Sequence, residues 1–199
     1  ELGLRSPDVT FPDNHSSLGG FLATLFIEGE KELKENRPDA VLLLGDTNSA
    51  LIAILAKRFA IPIYHLEAGN RSFDANVPEE INRRIVDHVA DFNFPYSEQA
   101  RRNLLDEGLH PRRISLMGSP LAEVFNEHQK EIANSSILKE LKLKKGNYFL
   151  VSAHRQENVD SDERLKILAS TLNEIADIYN QPVLVSTHPR TKKRLDMLG

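Results

Sequence analysis

Four short apolar runs in this sequence each end in an ionisable residue. Asp46 follows VLLLG, Glu67 follows IYHL, His154 follows YFLVSA and His188 follows VLVST. If the runs are buried parallel strands, the four side chains emerge at the carboxyl edge of a sheet, where open α/β folds place their ligand crevice. The pattern therefore predicts an active site before any family is considered.

Both carboxylates at these strand ends also have a structural interpretation. Asp46 lies in GDTNSA, between a predicted strand and a predicted helix, so it could cap that helix. Glu67 is followed by Ala and Gly, which predicts a buried carboxylate in a place where the backbone passes closely. Such a group needs a partner or a function, and the structural alternative is an ion pair with Arg71.

A third carboxylate lies on the helix that Pro78 is expected to begin. At about 100° per residue, Glu79 and Arg83 fall close together on that helix, away from an apolar stripe of Ile81, Ile85 and Val89. The ordinary interpretation is a solvated ion pair that contributes about 0.3 to 0.5 kcal/mol. If the pair points into a cleft instead, it supplies an acid next to a cation.

The two histidines are weaker candidates. His154 opens HRQEN beside Arg155, and a histidine and an arginine together suit phosphate binding, although a single histidine is often structural. His188, in THPR, has a similar position with less support. Neither belongs to a compact metal-binding signature, so no metal site is predicted.

The composition sets broad limits on function. The 199 residues are 40% hydrophobic and 27% charged, with a formal net charge of −4, so neither nucleic acid nor an anionic membrane is the expected main partner. We expect a soluble protein because no apolar run approaches the roughly 18 residues of a spanning helix. The absence of cysteine excludes disulfides and thiolate chemistry and fits a cytoplasmic enzyme.

Helical and strand patterns alternate along the chain, which predicts an α/β fold with mostly parallel sheets and right-handed crossovers. Strands are expected at 40–45, IPIYHLEA, FNFPYS, RISLMGS, YFLVSAH and PVLVSTH, and one long or two short helices over 120–144. The charged segment at 142–147 predicts a boundary between two Rossmann-like lobes, 1–145 and 146–199. The second lobe would then be incomplete, and a ligand cleft would lie between the lobes.

Several motifs in a fixed order resemble one family. The ordered set GDTNSA, HLEAGNRSFDANVPEEINRRIVDH, GSP and SAHRQEN is similar to the non-hydrolysing UDP-N-acetylglucosamine 2-epimerases over most of 38–190. The resemblance implies a GT-B-like fold that binds a UDP-sugar between two lobes, a cytoplasmic homodimer without a cofactor, and a role in capsule or cell-surface polysaccharide synthesis. It also implies that the chain is a fragment that lacks its first βα unit and the rest of the second lobe.

The resemblance also implies roles for particular residues. The family's catalytic groups fall on Asp46, Glu67, Glu79 and His154, and its arginine falls on Arg83. The implied reaction removes the C2 proton and expels UDP from C1, then adds both back so that C2 is inverted. We further expect the substrate to be bound by a group of basic and polar residues: Arg83, Arg155, Asn70, Arg71 and His188.

One departure from the commonest family pattern bears on the substrate. This chain has EAGNRSFD, where many members have EAGLRT. The form with Asn70 resembles the branch that acts on UDP-2-acetamido-2,6-dideoxy-L-talose, so both this sugar and UDP-N-acetylglucosamine are expected candidates. The alternatives are a GT-B glycosyltransferase, a hydrolysing epimerase and a non-catalytic module that binds sugar nucleotides.

Overall fold

The computed structural model describes residues 5–12, 17–152 and 161–187. Within them the chain forms two compact units, Glu1–Glu123 and Val124–Gly199. The division falls inside the helix Leu121–Glu127, upstream of the segment 142–147. The helices of the first unit are α1 (Leu18–Glu35), a 3-10 turn (Asn48–Ile52), α2 (Ala53–Arg58), α3 (Pro78–Val89), α4 (Glu98–Asp106) and a 3-10 turn (Pro111–Arg113).

The described part of the first unit contains a parallel sheet in the order β1 (Val41–Leu44), β2 (Ile63–Leu66) and β3 (Phe92–Phe94). In this register Leu44 lies opposite Leu66, and Leu66 lies opposite Phe94. The three strands therefore end at the same level, as the sequence predicts, and the residues that follow them share one edge.

The predicted strand RISLMGS is reduced to an isolated bridge. Ile114 pairs with Asn93 in the parallel direction, and the amide of Ser115 donates to the Asn93 carbonyl at 3.0 Å. The pairing extends no further than the Met117 amide, which donates to the Pro95 carbonyl at 3.0 Å. The segment thus runs beside β3 without forming a regular strand.

Helices α1, α2 and α3 pack around one hydrophobic core with the inward residues of β1 and β2. Ile63 and Val86 are fully buried there, and burying an aliphatic side chain of this size contributes about 1.5 to 3 kcal/mol. The outward residues Leu42 and Leu44 are exposed on the other face of β1. Alternation along the strand thus directs one set of side chains into the core.

The apolar stripe predicted for α3 is partly wrong. Ile85 and Val89 do pack on the core, but Ile81 is 52% exposed, whereas Glu80 and Asp87 are buried. The reason is position: a helix that follows a parallel strand begins at the carboxyl edge of the sheet, where the buried neighbours of its first turn are polar. α3 therefore presents charged groups to that edge.

The second unit contains two paired parallel strands among its described residues. Strand β4 (Phe149–Ser152) pairs with β5 (Val183–Ser186), and α8 (Asp162–Tyr179) connects them in sequence and contacts β5. The two strands match the predicted strands YFLVSAH and PVLVSTH. Where one or two helices were predicted, the structure has three short ones: α5 (Leu121–Glu127), α6 (Gln129–Ala133) and α7 (Ile137–Glu140).

Gly69 fixes the loop after β2 against α4. Its φ is +80°, and a Cβ atom there would clash with the Ala100 carbonyl and lie 2.9 Å from Leu104 Cγ. The Gly69 carbonyl also accepts a hydrogen bond from Asn103 Nδ2 at 2.9 Å. Only glycine combines this backbone conformation with so close an approach.

We expect Gly69→Ala to destabilise the protein more than Gly108→Ala. Gly108 has nearly the same φ, +84°, but nothing lies within 4 Å of its Cβ position, so this control carries only the conformational cost of about 1 to 2 kcal/mol. Gly69→Ala adds the clash with α4, which overpacking data place at about 1 to 3 kcal/mol more. Urea unfolding measures both, and equal losses would contradict the close packing at Gly69.

Candidate active site

Asp46 and Glu67 lie next to each other at the carboxyl edge of the first sheet. The Gly45 amide donates to the Leu66 carbonyl at 3.1 Å, which continues the pairing of β1 and β2 beyond the strands. A Cβ atom on Gly45 would lie 3.5 Å from Glu67 Oε2. The Glu67 carboxylate therefore lies directly beside the backbone that leads into Asp46.

Asp46 is paired with Arg83 on α3. The Asp46 Oδ2 to Arg83 Nη2 distance is 2.6 Å, and Asn82 Nδ2 donates to the Asp46 carbonyl at 3.0 Å. The alternative in which Asp46 caps the following helix is wrong: the N-cap position of the 3-10 turn is Thr47, without a side-chain cap bond. One helix thus holds both the backbone and the carboxylate of Asp46.

Glu67 projects from a strained backbone and is exposed. Its φ of +65° is uncommon for a residue with a side chain, and strain of this kind costs about 1 to 3 kcal/mol and clusters at functional sites. Asn70 Nδ2 lies 3.4 Å from Glu67 Oε1. Both expectations for a structural Glu67, burial and an ion pair with Arg71, are wrong, so its carboxylate is open to a ligand.

Arg71 is instead a fully buried structural cation. Its guanidinium donates to both oxygens of Glu107 at 2.8 and 2.6 Å and to Asp87 Oδ2 at 2.8 Å. Burial lowers the pKa of Arg71, but the two carboxylates outweigh it and hold that pKa above its ordinary value. This geometry favours a positioning role over the substrate contact that the sequence predicts for Arg71.

Glu79 is exposed on the first turn of α3, and it makes no ion pair with the described residues. The predicted pair with Arg83 is wrong, because Arg83 turns toward Asp46 and Glu80. The Arg83 Nη1 to Glu80 Oε2 distance is 3.3 Å, and Arg83 Nε is buried without a partner in the described part of the chain. Glu79 is therefore free to meet a ligand.

Glu80, the neighbour of Glu79, is buried and holds the loop that follows Glu67. Its Oε2 accepts the Ser72 amide at 2.9 Å, and its Oε1 pairs with Arg84 at 3.1 Å. Burial raises the pKa of Glu80, but the Ser72 amide and the two arginines together lower it by more than burial raises it. The pKa of Glu80 therefore lies below its ordinary value. Glu80 is thus an ionised structural group rather than a proton donor.

Three further groups at this edge escape prediction from the motifs alone. His65 and Asp87 are fully buried and joined by a 2.8 Å hydrogen bond. Tyr96 follows β3, and burial together with the charge of Glu67 raises the pKa of its phenol. The one sequence feature that could have pointed to the pair of His65 and Asp87 is the presence of a histidine inside the apolar run IYHL.

The predicted site residues His154, Arg155 and His188 lie outside the described residues. Across 5–12, 17–152 and 161–187, no group of three or more His, Asp or Glu side chains could hold a metal ion. Within the same ranges, no helix is long and apolar enough to cross a membrane.

Fold and site together define a class of protein. It is an α/β protein in which the carboxyl edge of a parallel sheet carries two adjacent carboxylates, an arginine and a tyrosine, the usual location of a ligand crevice in this class. The family model of the UDP-N-acetylglucosamine 2-epimerases matches residues 1–199, and the chain belongs to this family.

Individual relatives agree with this assignment. The UDP-N-acetylglucosamine 2-epimerase of Rickettsia bellii has a TM-score of 0.86 and 43% identity, covering 99% of this chain and 52% of that one. The Methanocaldococcus jannaschii enzyme in complex with UDP-GlcNAc and UDP has a TM-score of 0.79 and 38% identity, and the match covers 92% of this chain and 51% of that one. The UDP-2,3-diacetamido-2,3-dideoxy-D-glucuronate 2-epimerase of Pseudomonas aeruginosa is 32% identical, covering 100% and 56%.

The chain spans about half the length of the curated relatives it matches. These structural matches confirm the predicted fold class, α/β of the GT-B type with a second lobe that is incomplete in this chain.

We expect Glu107→Gln to lower stability at pH 7 by about 1.5 to 3 kcal/mol, because it weakens charged hydrogen bonds to the buried Arg71. Arg71 lowers the pKa of Glu107 more than burial raises it, so the net value lies below the ordinary 4.5. Ionised Glu107 therefore stabilises the fold fully above about pH 4.5, and this contribution is lost as the pH falls through the folded-state value.

The check is urea unfolding of wild type and variant between pH 3 and 7. The stability difference should shrink as the pH falls below about 4.5. Glu35→Gln, an exposed change at the end of α1, is the matched control and should stay close to wild type throughout. A difference between wild type and Glu107→Gln that does not vary with pH would contradict the account.

Proposed function

We propose that the protein to which this chain belongs is a UDP-sugar 2-epimerase that inverts C2 of a UDP-2-acetamido sugar. The observation that carries the proposal is the adjacent pair Asp46 and Glu67 at the sheet edge, in a chain of the 2-epimerase family. Inverting a carbon needs groups that handle a proton on both of its faces. Two carboxylates at one edge, with Glu79 exposed nearby in sequence, supply that kind of chemistry.

The proposed reaction proceeds by elimination and re-addition. A carboxylate takes the C2 proton, the electron pair of the broken C–H bond forms a C1–C2 double bond, and the C1–oxygen bond breaks so that UDP leaves with its electrons. A proton then returns to the opposite face of C2 while a UDP oxygen re-forms the bond to C1. The sugar nucleotide is thus recovered intact with C2 inverted, without a cofactor.

The catalytic set in this proposal is Asp46, Glu67, Glu79 and His154. Arg83 pairs directly with Asp46 at 2.6 Å, which fixes the direction of this carboxylate at the sheet edge. Glu67 is exposed at the sheet edge. Burial, and then the nearby charge of Glu67, raise the pKa of the Tyr96 phenol, so these two groups lie close together. His154, with Arg155 and Arg83, would stabilise the departing diphosphate.

Asn70 is the proposed contact for substrate choice. Its amide reaches toward Glu67 at 3.4 Å, so a change at position 70 alters the surroundings of a proposed catalytic group. We propose UDP-N-acetylglucosamine or UDP-2-acetamido-2,6-dideoxy-L-talose as substrates, in capsule or cell-surface polysaccharide synthesis. His188 is proposed to bind the nucleotide, and a cytoplasmic homodimer stays the predicted state.

The test uses the full-length protein and each UDP-sugar in D2O, followed by proton NMR. We expect deuterium to appear at C2 of an intact UDP-sugar as the epimer forms, because the proton that leaves exchanges with solvent. A glycosyltransferase or a binding module would leave C2 protonated, and a hydrolysing epimerase would release UDP and free sugar. Turnover without deuterium at C2 would contradict the elimination mechanism.

We expect Glu67→Gln in the full-length protein to lower kcat by about 100-fold or more while UDP-sugar binding is kept, since the amide cannot accept the proton. Steady-state kinetics gives kcat, and calorimetric titration with the UDP-sugar gives binding. Glu35→Gln, which removes a carboxylate from an exposed helix end, should behave as wild type. If Glu67→Gln keeps wild-type kcat, Glu67 has no catalytic role.

A further inference from the structure

His65 lies on β2, two residues before Glu67, and its side chain is fully buried. Each of its ring nitrogens is 2.8 Å from an oxygen: Nδ1 from Asp87 Oδ1, and Nε2 from the Gly45 carbonyl. Gly45 immediately precedes Asp46. The imidazole therefore spans from α3 to the backbone that carries one of the two adjacent carboxylates.

The hydrogen-bond partners determine the protonation of this ring. A backbone carbonyl can only accept, so Nε2 must carry a proton. Both Asp87 oxygens receive the Gly69 amide, at 3.3 and 3.2 Å, and Oδ2 also receives Arg71 Nη1 at 2.8 Å, a pattern that suits a carboxylate. Opposite a carboxylate, Nδ1 carries a proton as well, which makes His65 an imidazolium.

The surrounding charges are compatible with a buried imidazolium. Asp87 faces two cations, His65 and Arg71, and Arg71 in turn faces Glu107. The net charge of these four groups is therefore zero. Glu107 also lies near Arg84 at 3.5 Å and His88 at 4.0 Å, both on the exposed side. A buried charge that is paired and fully hydrogen-bonded in this way avoids the cost of isolation.

The same contacts join the loops that follow two strands. His65 holds the peptide that leads into Asp46, and Asp87 holds the Gly69 amide, two residues after Glu67. We propose that His65 is a positioning residue that, as an imidazolium, sets Asp46 and Glu67 in register with each other through Asp87. This inference rests on the proposed function for its catalytic part, and on geometry alone for the charge of the ring.

The first test reads the charge of His65 directly. Long-range proton–nitrogen NMR of the 15N-histidine-labelled full-length protein should show both ring nitrogens of His65 protonated at pH 7 to 8, where an ordinary histidine is neutral. Loss of one histidine signal in His65→Asn assigns the resonance. A neutral ring in this pH range would overturn the proposal, whether or not the protein is an epimerase.

The second test reads positioning through kinetics. The Asn side chain of His65→Asn can still donate toward Asp87, but it cannot reach the Gly45 carbonyl. We expect kcat to fall about 10- to 100-fold with KM for the UDP-sugar changed less than about threefold, because sub-ångström displacement of a catalytic group costs rate more than binding. In His65→Gln the amide lies one methylene farther from the backbone, so it can donate to the Gly45 carbonyl, and kcat should fall less than in His65→Asn.

Ile63→Val is the matched control for stability. Ile63 is fully buried on the same face of β2 but touches neither loop through a hydrogen bond of its side chain, so kcat should be kept while stability falls. If His65→Asn and Ile63→Val show equal kcat, His65 is only a core residue and the proposal is overturned. If His65→Asn does not fold, the His65→Gln kinetics and the NMR charge decide. If wild type shows no C2 exchange, the proposed function fails, and the catalytic part of this inference fails with it.

Discussion

The carboxylate of Asp87 is the constraint on which this edge of the sheet depends. It is fully buried on α3, accepts from the Gly69 amide and Arg71, and shares a 2.8 Å hydrogen bond with His65. These partners come from a strand and from the loop after Glu67, and His65 continues the connection to Gly45. An unpaired carboxylate at this depth would cost several kcal/mol, so each donor is needed to keep the charge in place. The result is a rigid polar layer directly behind Asp46 and Glu67.

Helix α3, with the sequence PEEINRRIVDHV, supplies most of this layer because its charged residues recur with the period of the helix. Glu80, Arg83 and Asp87 recur at three- and four-residue spacing, which puts them on one side of the helix. That side faces the carboxyl edge of the strands, where Arg83 pairs with Asp46 and Glu80 holds the Ser72 amide. Helix position therefore explains why charged residues are buried here and Ile81 is not. The proposed catalytic groups of this unit lie on regular elements and on short loops that those elements restrain, as the proposed reaction at a single carbon requires.

Much of this arrangement could be predicted from the sequence, and the part that could not has a physical reason. The strand ends at Asp46 and Glu67 followed from apolar runs that stop at a charge, since parallel strands align their carboxyl ends. The ion pairs of the arginines could not be predicted in this way. Spacing along a helix shows which residues are neighbours on that helix, but it does not show which carboxylate from another element lies closer. Arg83 lies four residues after Glu79, yet it pairs with Asp46, which follows β1, and with the buried Glu80. Arg71 lies close to Glu67 in the sequence, but in the structure it forms ion pairs with Glu107 and Asp87. The bent path of the Glu67 backbone and the double contact of His65 exist only once β1, β2 and α3 are assembled.

The central claim is that the carboxylates at the sheet edge act on C2 of a UDP-2-acetamido sugar. A crystal structure of the full-length protein with the bound UDP-sugar measures this most directly, through the distances from C2 to the oxygens of Asp46, Glu67 and Glu79. The account predicts that at least one of these oxygens lies about 3 to 3.5 Å from C2, the separation of a reactive arrangement. A sugar bound with C2 directed away from all three carboxylates would contradict it.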